Sequence, residues 1–304
     1  MFRFPVLVIW VSLMASSFVV SGWIASFADP ISSTGLRFVF GTLIMYPFVA
    51  KRIKQYLTIE IVKRYFLISL SLVLFFIGLF QALYTTTAIN TSVIYTGVPL
   101  LCVVISFIFL GEQIDKFKTL GFVIGMAGAI WVLLVSRQIA VDQLKWVQGD
   151  WIFLLACISL ASHVLLIKHA GIQLPPDCGA FLILLLGSAI LIPFMLLMGD
   201  LNSVHWESAV FWKGLLYLTV FTTLLTFSLQ QYIIHSMGPN TLMGFSYFIP
   251  SLVALMSGLF SNDIFWYSLP GILLTMIAVY LISTGSHLTK SQPRSMFQVK
   301  GTSL

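Results

Sequence analysis

The chain has 304 residues, of which 59% are hydrophobic and only 9% are charged, and its net charge is +6. Soluble domains carry about 25% charged residues, so this composition argues against soluble enzymes, nucleic-acid-binding proteins and disordered proteins. The apolar residues form long unbroken runs such as 66–83 and 98–110, whereas the strands of a membrane barrel alternate apolar and polar residues. An all-α integral membrane protein is therefore predicted.

The apolar runs predict ten transmembrane helices in chain order. They cover residues 4–27, 30–49, 65–85, 90–110, 118–136, 150–170, 178–198, 211–235, 240–261 and 266–286. The longest predicted connections are 51–64, 137–149 and 199–210, and the polar segment 287–304 is predicted to be a flexible cytoplasmic tail. No connection is long enough to form a soluble domain.

The basic residues predict how these helices are oriented. If the N-terminus lies inside the cell, twelve Lys and Arg residues fall on the inner side and three on the outer side. Cytoplasmic loops of membrane proteins carry an excess of Lys and Arg. The sequence therefore predicts that both termini are inside. As a separate expectation, the chain is assigned to the inner membrane of a bacterial cell.

The chain also repeats itself. A shift of 146 residues places Pro30 on Pro176 and Gly41 on Gly187, and a slightly larger shift places Pro99 on Pro250. Two five-helix repeats, 4–136 and 150–286, are predicted, joined by a periplasmic connection at 137–149. Because five is odd, the second repeat enters from the opposite side of the membrane. Secondary transporters use such inverted repeats, with the substrate near the midplane and alternating access to the two sides.

Several short motifs recur in this order along the chain. They are Trp10 with Ser16-Ser17-Phe18, Pro30 with Leu36-Arg37-Phe38, Val98-Pro99-Leu100, Phe109-Leu110-Gly111-Glu112, Gly121 to Gly128, Gly149-Asp150, Gly238-Pro239, Ile249-Pro250 and Pro270-Gly271. With these motifs the chain resembles the EamA-type transporters of the drug/metabolite transporter superfamily over about residues 6–286. The resemblance implies ten helices in two inverted repeats, a central cavity and, in most members, export of small metabolites.

Charged residues within a membrane span are costly and mark candidate functional sites. All ten acidic residues fall at predicted span ends or in loops, which argues against an antiporter that exchanges protons for organic cations at a midplane carboxylate. Arg37 is the basic residue predicted within a span. Its guanidinium either pairs with a carboxylate or phosphate of the substrate, or reaches the interface and stabilises a neighbouring helix.

Other residues are predicted to line the central cavity because they are polar, aromatic or helix-breaking. These candidates are Trp10, Ser16, Ser17, Gln81, Tyr84, Tyr95, Pro99, His163, Gln230, Gln231, Tyr247, Pro250 and Ser251. Each proline removes a backbone hydrogen bond within its span, and the small residues beside it serve either the cavity or close helix packing. His163 is either a proton carrier, since histidine titrates near physiological pH, or a neutral structural residue.

The sequence lacks the patterns of membrane enzymes. It has no HExxH zinc motif and no Walker A motif, and the GxS at 244–246 has no membrane histidine after it to act as its base. We therefore expect no catalytic residue, metal or cofactor. The predicted function is a secondary carrier, monomeric or homodimeric, that exports a small metabolite such as an amino acid, with protons as the candidate coupling ion. The alternatives are a broad-specificity drug efflux permease, an uptake carrier and a non-transporting membrane protein.

Overall fold

The computed structural model describes residues 3–111, 115–138, 145–170, 174–258 and 262–285, and all regular structure in these ranges is helical. The helices are α1 (Arg3–Ile24), α2 (Pro30–Ile53), α3 (Ile59–Leu83), α4 (Ala88–Tyr95), α5 (Val98–Leu110), α6 (Lys116–Arg137), α7 (Gln148–Ala170), α8 (Pro176–Met198), α9 (Ala209–Thr219), α10 (Thr226–Met237), α11 (Pro239–Ser246), α12 (Ile249–Met256) and α13 (Asn262–Gly285). A π-helical segment, Val220–Leu225, joins α9 to α10. The predicted tail 287–304 and residues 139–144 of the connection 137–149 lie outside the described residues.

Eight stretches in these ranges are long and apolar enough to cross a membrane. They are α1, α2, α3, α6, α7, α8, the continuous stretch from α9 to α10, and α13, while α5 is a shorter apolar helix. The all-helical fold is thus confirmed. The total of ten spans and the orientation stay predictions.

The prediction of a long connection at 51–64 is wrong, because helices occupy most of this segment. Helix α2 continues to Ile53, and α3 already begins at Ile59, where the Thr58 hydroxyl accepts a hydrogen bond from Ile61 N at 3.3 Å. Lys51 and Arg52 lie in the last turn of α2, where positive charge complements the helix dipole. Apolar runs locate the part of a helix that lies in lipid, and here they miss its polar ends.

The fourth and ninth predicted spans are each broken into two helices before a proline. Thr96 and Gly97 separate α4 from α5, with φ/ψ of −62/−16° and −79/−13°. Tyr247 and Phe248 separate α11 from α12, with nearly the same values, −64/−17° and −79/−13°. Proline has no N–H to donate, so the same local break occurs at both positions.

Small residues bring the helices of two pairs very close together. A Cβ on Gly78 of α3 would lie 2.7 Å from the Ala156 Cβ of α7. Between α6 and α13, a Cβ on Gly128 would lie 2.7 Å from Gly271 O, and a Cβ on Gly271 would lie 2.7 Å from Gly128 O. Glycine at such positions allows close backbone approach within membranes.

Helices α2 and α8 meet through reciprocal contacts. A Cβ on Gly187 would lie 2.8 Å from Phe38, and a Cβ on Gly41 would lie 3.4 Å from Leu184. Beside these contacts the hydroxyls of Thr42 and Ser188, two residues 146 positions apart, hydrogen-bond at 3.2 Å. The separation equals the shift of the sequence repeat, so each helix presents the same surface to the other, as in a contact around a twofold axis.

Candidate functional site

Arg37 lies on α2 and crosses to the π segment. Its Nε donates to Thr223 Oγ1 at 3.3 Å, and its Nη2 donates to Thr223 Oγ1 at 3.1 Å and to Thr222 Oγ1 at 3.4 Å. The arginine side chain is half-buried, and both threonines are buried. The arginine therefore joins the first half of the chain to the second through two neutral hydroxyls.

The π segment places these hydroxyls within a cluster of threonines. Thr222 Oγ1 donates to Leu218 O at 2.9 Å, so its lone pairs remain to accept from Arg37. Thr226 Oγ1 donates to Thr222 O at 2.7 Å and Thr223 O at 3.3 Å, and thereby satisfies carbonyls within the wider π turn. Such π turns are rare and occur often at functional sites.

The charge of Arg37 has no counter-charge nearby. Among the residues that the structure describes, no carboxylate lies within 4 Å of the guanidinium, and Nη1 makes no hydrogen bond to a described residue. A guanidinium has five N–H donors that match carboxylate and phosphate oxygens. The two N–H groups of Nη1 thus remain available to a ligand.

His163 of α7 is buried between α3 and α10. Its Nδ1 lies 2.9 Å from Ile68 O, and because a carbonyl only accepts, Nδ1 carries the proton. Nε2 faces the Gln230 amide nitrogen at 3.5 Å. A ring nitrogen that accepts from this amide carries no proton, so this arrangement fits a neutral imidazole. The geometry favours the structural reading of His163 over the proton carrier.

Gln231 lies on α10 beside α3 and α8. The residue is 1% exposed, and neither its Oε1 nor its Nε2 has a hydrogen-bond partner among the described residues. A Cβ on Gly179 would lie 3.3 Å from its Oε1 and 2.8 Å from the Tyr65 hydroxyl. An unsatisfied buried amide is costly. Gln231 therefore adds to the protein interior a polar side chain whose donors and acceptor are not used by the described residues.

The other candidates on α1 and α12 face the interior. Trp10 and Ser251 are buried, and the Trp10 Nε1 and Ser251 Oγ have no partner among the described residues. Ser16 Oγ accepts from the Tyr217 hydroxyl at 2.9 Å, and Ser17 is half-buried on the same helix. These residues lie where α1 packs against α9 and α12.

The remaining candidates are more dispersed. Tyr247 is buried, with its hydroxyl donated to Phe122 O at 2.9 Å, and half-buried Tyr95 packs its ring against Phe75. Pro99 and Pro250 are the second residues of α5 and α12. Gln81 and Tyr84 are exposed near the end of α3, Tyr84 at 70%, so these two do not lie among the buried candidates.

Asp150 is the most buried acid in the described ranges, with no exposed surface. It accepts from the Thr86 hydroxyl, from Asn90 Nδ2 at 3.0 Å and from Val147 N at 2.8 Å. The last bond closes the N-terminus of α7 in the manner of a capping box. Asp150 is therefore fully satisfied by neutral donors.

The other described acids also lie at helix starts or in loops, as predicted. They are Asp29, Glu60, Asp115, Asp177, Asp200, Glu207 and Asp263. In the same part of the chain no group of three or more His, Cys, Asp or Glu side chains is placed to hold a metal ion. Negative charge at a helix N-terminus is stabilised by the helix dipole, which accounts for Asp29, Glu60, Asp115 and Asp177.

The predicted candidates leave out three polar residues that the structure brings into contact with them. Thr222 and Thr223 bind Arg37, and Tyr217 binds Ser16. The density of threonines over residues 219–226 was the available signal, and the stripe of Thr219, Thr223 and Thr226 is visible at helical spacing. Thr222 lies on the same face, because residues 219, 222, 223 and 226 follow the i, i+3, i+4, i+7 spacing of a helix.

Comparison with known proteins decides the family. A model described as the EamA-like transporter family matches residues 5–134 and again residues 147–284. The chain belongs to the EamA-like transporter family. Its function is thus membrane transport of a solute, and its apolar helices make it a multi-pass membrane protein.

Relatives of this EamA-like transporter occur in bacteria and plants. The uncharacterized transporter YvbV of Bacillus subtilis (strain 168) is 23% identical over 270 residues, which cover 88% of this chain and 86% of YvbV. A chloroplastic WAT1-related protein of Arabidopsis thaliana is 22% identical, over 67% of this chain and half of its own length. A solved structure described as "Crystal structure of protein" has a TM-score of 0.71 at 16% identity and covers 95% of this chain and 97% of its own. That likeness shows the fold.

Proposed function

We propose that this EamA-like transporter is a secondary carrier that exports a small metabolite, an amino acid or related compound, by alternating access. The observation that carries the proposal is that one family model matches the chain twice, at 5–134 and 147–284. The reciprocal contacts of α2 and α8, with the Thr42–Ser188 hydrogen bond at their centre, support two related halves packed around a local twofold axis. Inverted-repeat carriers bind substrate between their halves and rock one part against the other.

The proposed topology has ten spans, in two five-helix repeats at 4–136 and 150–286. In it α4 with α5 forms one broken span and α11 with α12 another, and both termini face the cytoplasm of a bacterial cell. Broken helices within membranes are tolerated where protein or water satisfies the freed backbone groups.

Cysteine labelling tests the orientation. Lys54→Cys lies at the end of α2 on the proposed inner side, and Lys213→Cys lies on α9 on the proposed outer side; both lysines are exposed. A membrane-impermeant maleimide added to intact cells is expected to label the Lys213→Cys variant only. Background is low because Cys102, Cys157 and Cys178 are buried. Labelling of the Lys54→Cys variant in intact cells contradicts the topology.

The placement of the acids disfavours the alternative of a proton-driven efflux pump for organic cations. The described acids lie at helix starts or in loops, and the buried one, Asp150, is already satisfied by three donors. A cation carrier needs a free carboxylate that the cation and proton share. The proposed interior group instead comprises Arg37, Trp10, Gln230, Gln231 and Ser251, which are positive or neutral.

Export is tested in cells and in vesicles. Cells expressing the chain are screened for resistance to toxic amino-acid analogues and for lowered intracellular amino acids, with an empty vector as control. Inside-out vesicles are then tested for saturable accumulation of each metabolite that responds, with and without a proton gradient. Saturable accumulation that needs a gradient or a counter-substrate is the expected result. Flux that does not saturate indicates a channel, and higher intracellular metabolite indicates uptake.

A further inference from the structure

The Arg37 contact has a counterpart in the other half of the chain. The shift of 146, which relates Thr42 to Ser188, places Arg37 on Ile183. Thr58 and Ser208 cap the starts of α3 and α9 in the same way, each accepting from the N–H three residues later. Their shift of 150 places Thr222 on Leu72 and Thr223 on Val73.

The counterpart contact is entirely apolar. Ile183, Leu72 and Val73 are all buried and belong to one hydrophobic cluster. Helix α8 lies against this part of α3, since a Cβ on Gly187 would lie 3.8 Å from Val73 Cγ2. The contact of α8 with α3 is thus packed without a charge. We therefore expect that the equivalent contact of α2 with the π segment does not need Arg37 for packing.

The backbone differs at the same place. Helix α3 is α-helical from Ile59 to Leu83, whereas the stretch from α9 to α10 contains the π segment. Pro99 lies 41 residues after Thr58, and Pro250 lies 42 residues after Ser208. An i→i+5 turn holds one residue more than an α turn. The stretch from Ser208 to Pro250, which contains the π segment, therefore has one residue more than the stretch from Thr58 to Pro99. Within the π segment, two consecutive threonines contact one guanidinium.

We infer that Arg37, held by Thr222 and Thr223 on the π segment, binds an anionic group of the transported solute, a carboxylate or a phosphate. The inference rests on the proposed function and names its substrate class. The threonines occupy Nε and Nη2 and set the plane of the guanidinium, and the two N–H groups of Nη1 bind the anion. The ligand supplies the counter-charge that the described residues do not provide.

Ligand-induced thermal stabilisation of the purified full chain tests the inference. The probes are matched pairs that differ in the anion: L-leucine and L-leucinamide, L-phenylalanine and L-phenylalaninamide, glycerol phosphate and glycerol. At least one member that carries the carboxylate or phosphate is expected to raise the Tm by several degrees, while its partner that lacks this anionic group does not. In Arg37→Gln that shift is lost, and in Arg37→Lys, which keeps the charge but not the planar fork, part of it returns. The control variant Lys213→Gln removes an exposed charge and keeps the shift.

Three outcomes with these soluble probes overturn the inference. One is equal stabilisation by the two members of a pair, with and without the carboxylate or phosphate. Another is an undiminished shift in Arg37→Gln. The third is no shift with any anionic probe. Repeating the measurement in nanodiscs of phosphatidylcholine, with and without phosphatidylglycerol, separates a solute from a lipid headgroup. If only phosphatidylglycerol stabilises the chain through Arg37, the anion belongs to lipid, and the substrate assignment is overturned.

The cell assay separates this inference from the proposed function. Export by the wild-type chain does not depend on how Arg37 is interpreted. If Arg37→Gln exports the same metabolites at the same rate, the anion contact is wrong and the exporter proposal stands. If the wild-type chain exports none of them, the exporter proposal fails.

Discussion

Asp150 and Arg37 are both charged side chains within the helical bundle, and their surroundings differ. Asp150 has no exposed surface and accepts from Thr86, Asn90 and Val147 N. Arg37 is half-buried, is bound only by the hydroxyls of two threonines and keeps Nη1 without a protein partner in the described ranges.

The difference separates a structural charge from one that is available to a ligand. A buried charge that is saturated by hydrogen bonds rigidifies its surroundings, and Asp150 thereby ties the start of α7 to the α3–α4 connection and to α4. A charge with free donors and no counter-charge in a membrane remains costly until a ligand pairs with it. Four substitutions test this contrast, from the largest expected loss of stability to the smallest.

The largest loss is expected for Asp150→Ala. The substitution removes the acceptor of the buried Thr86 hydroxyl, of Val147 N and of one N–H of Asn90 Nδ2, whose other bond is to Lys145 O. An unsatisfied buried group costs about 1–3 kcal/mol. The free energy of unfolding is expected to fall by about 3 kcal/mol or more, measured as a lower Tm of the purified chain. Glu207→Ala is the control, because its carboxylate is 81% exposed and its loss is expected to change little. An equal Tm for the two variants contradicts the structural role.

Gly149→Ala displaces Asp150 without removing it. A Cβ there would lie 2.6 Å from both Ala82 O and Thr85 Oγ1, so α7 must move away from α3. Overpacking of this kind costs about 1–3 kcal/mol. Gly22→Ala in α1, where no atom lies within 4 Å of the new Cβ, is the matched control and is expected to leave the Tm unchanged or slightly raised. An unchanged Tm in Gly149→Ala would contradict the close contact of α7 with α3.

Arg37→Gln is expected to change the free energy of unfolding by no more than about 1 kcal/mol. The substitution removes the charge, and the hydrogen bonds that it breaks are to neutral hydroxyls. Transport, in contrast, is expected to fall at least about tenfold, which corresponds to about 1.4 kcal/mol. Tm and initial transport rate are measured on the same preparation. A fall in Tm as large as that of Asp150→Ala assigns Arg37 a structural role instead.

His163→Gln is expected to have the smallest effect. The neutral hydrogen bonds to Ile68 O and Gln230 are worth about 1 kcal/mol, and glutamine can replace one of them. The pH profile of transport is therefore expected to keep its shape between about pH 5.5 and 8, the range in which a histidine charge changes. A profile that flattens or shifts in this variant restores His163 as a proton carrier.

The fold was largely predictable from the sequence because apolar runs of membrane length leave few alternatives to helices. The helix ends at Ile53 and Ile59 were missed because polar residues continue a helix beyond the apolar run. Arg37 was identifiable as a charge within an apolar run, but its partners were not, since Thr222 and Thr223 are 185 and 186 residues away. The burial of Asp150 likewise depends on Thr86, 64 residues away.

The central claim is that Arg37 and its two threonines bind a ligand and are not needed for packing. The triple variant Arg37→Ile, Thr222→Leu, Thr223→Val copies the apolar contact of Ile183, Leu72 and Val73 into the other half. Its transport rate in vesicles, measured together with its Tm, is the most direct test. The account predicts a chain that folds with a Tm at or above that of wild type and does not transport. Transport at the wild-type rate would contradict it.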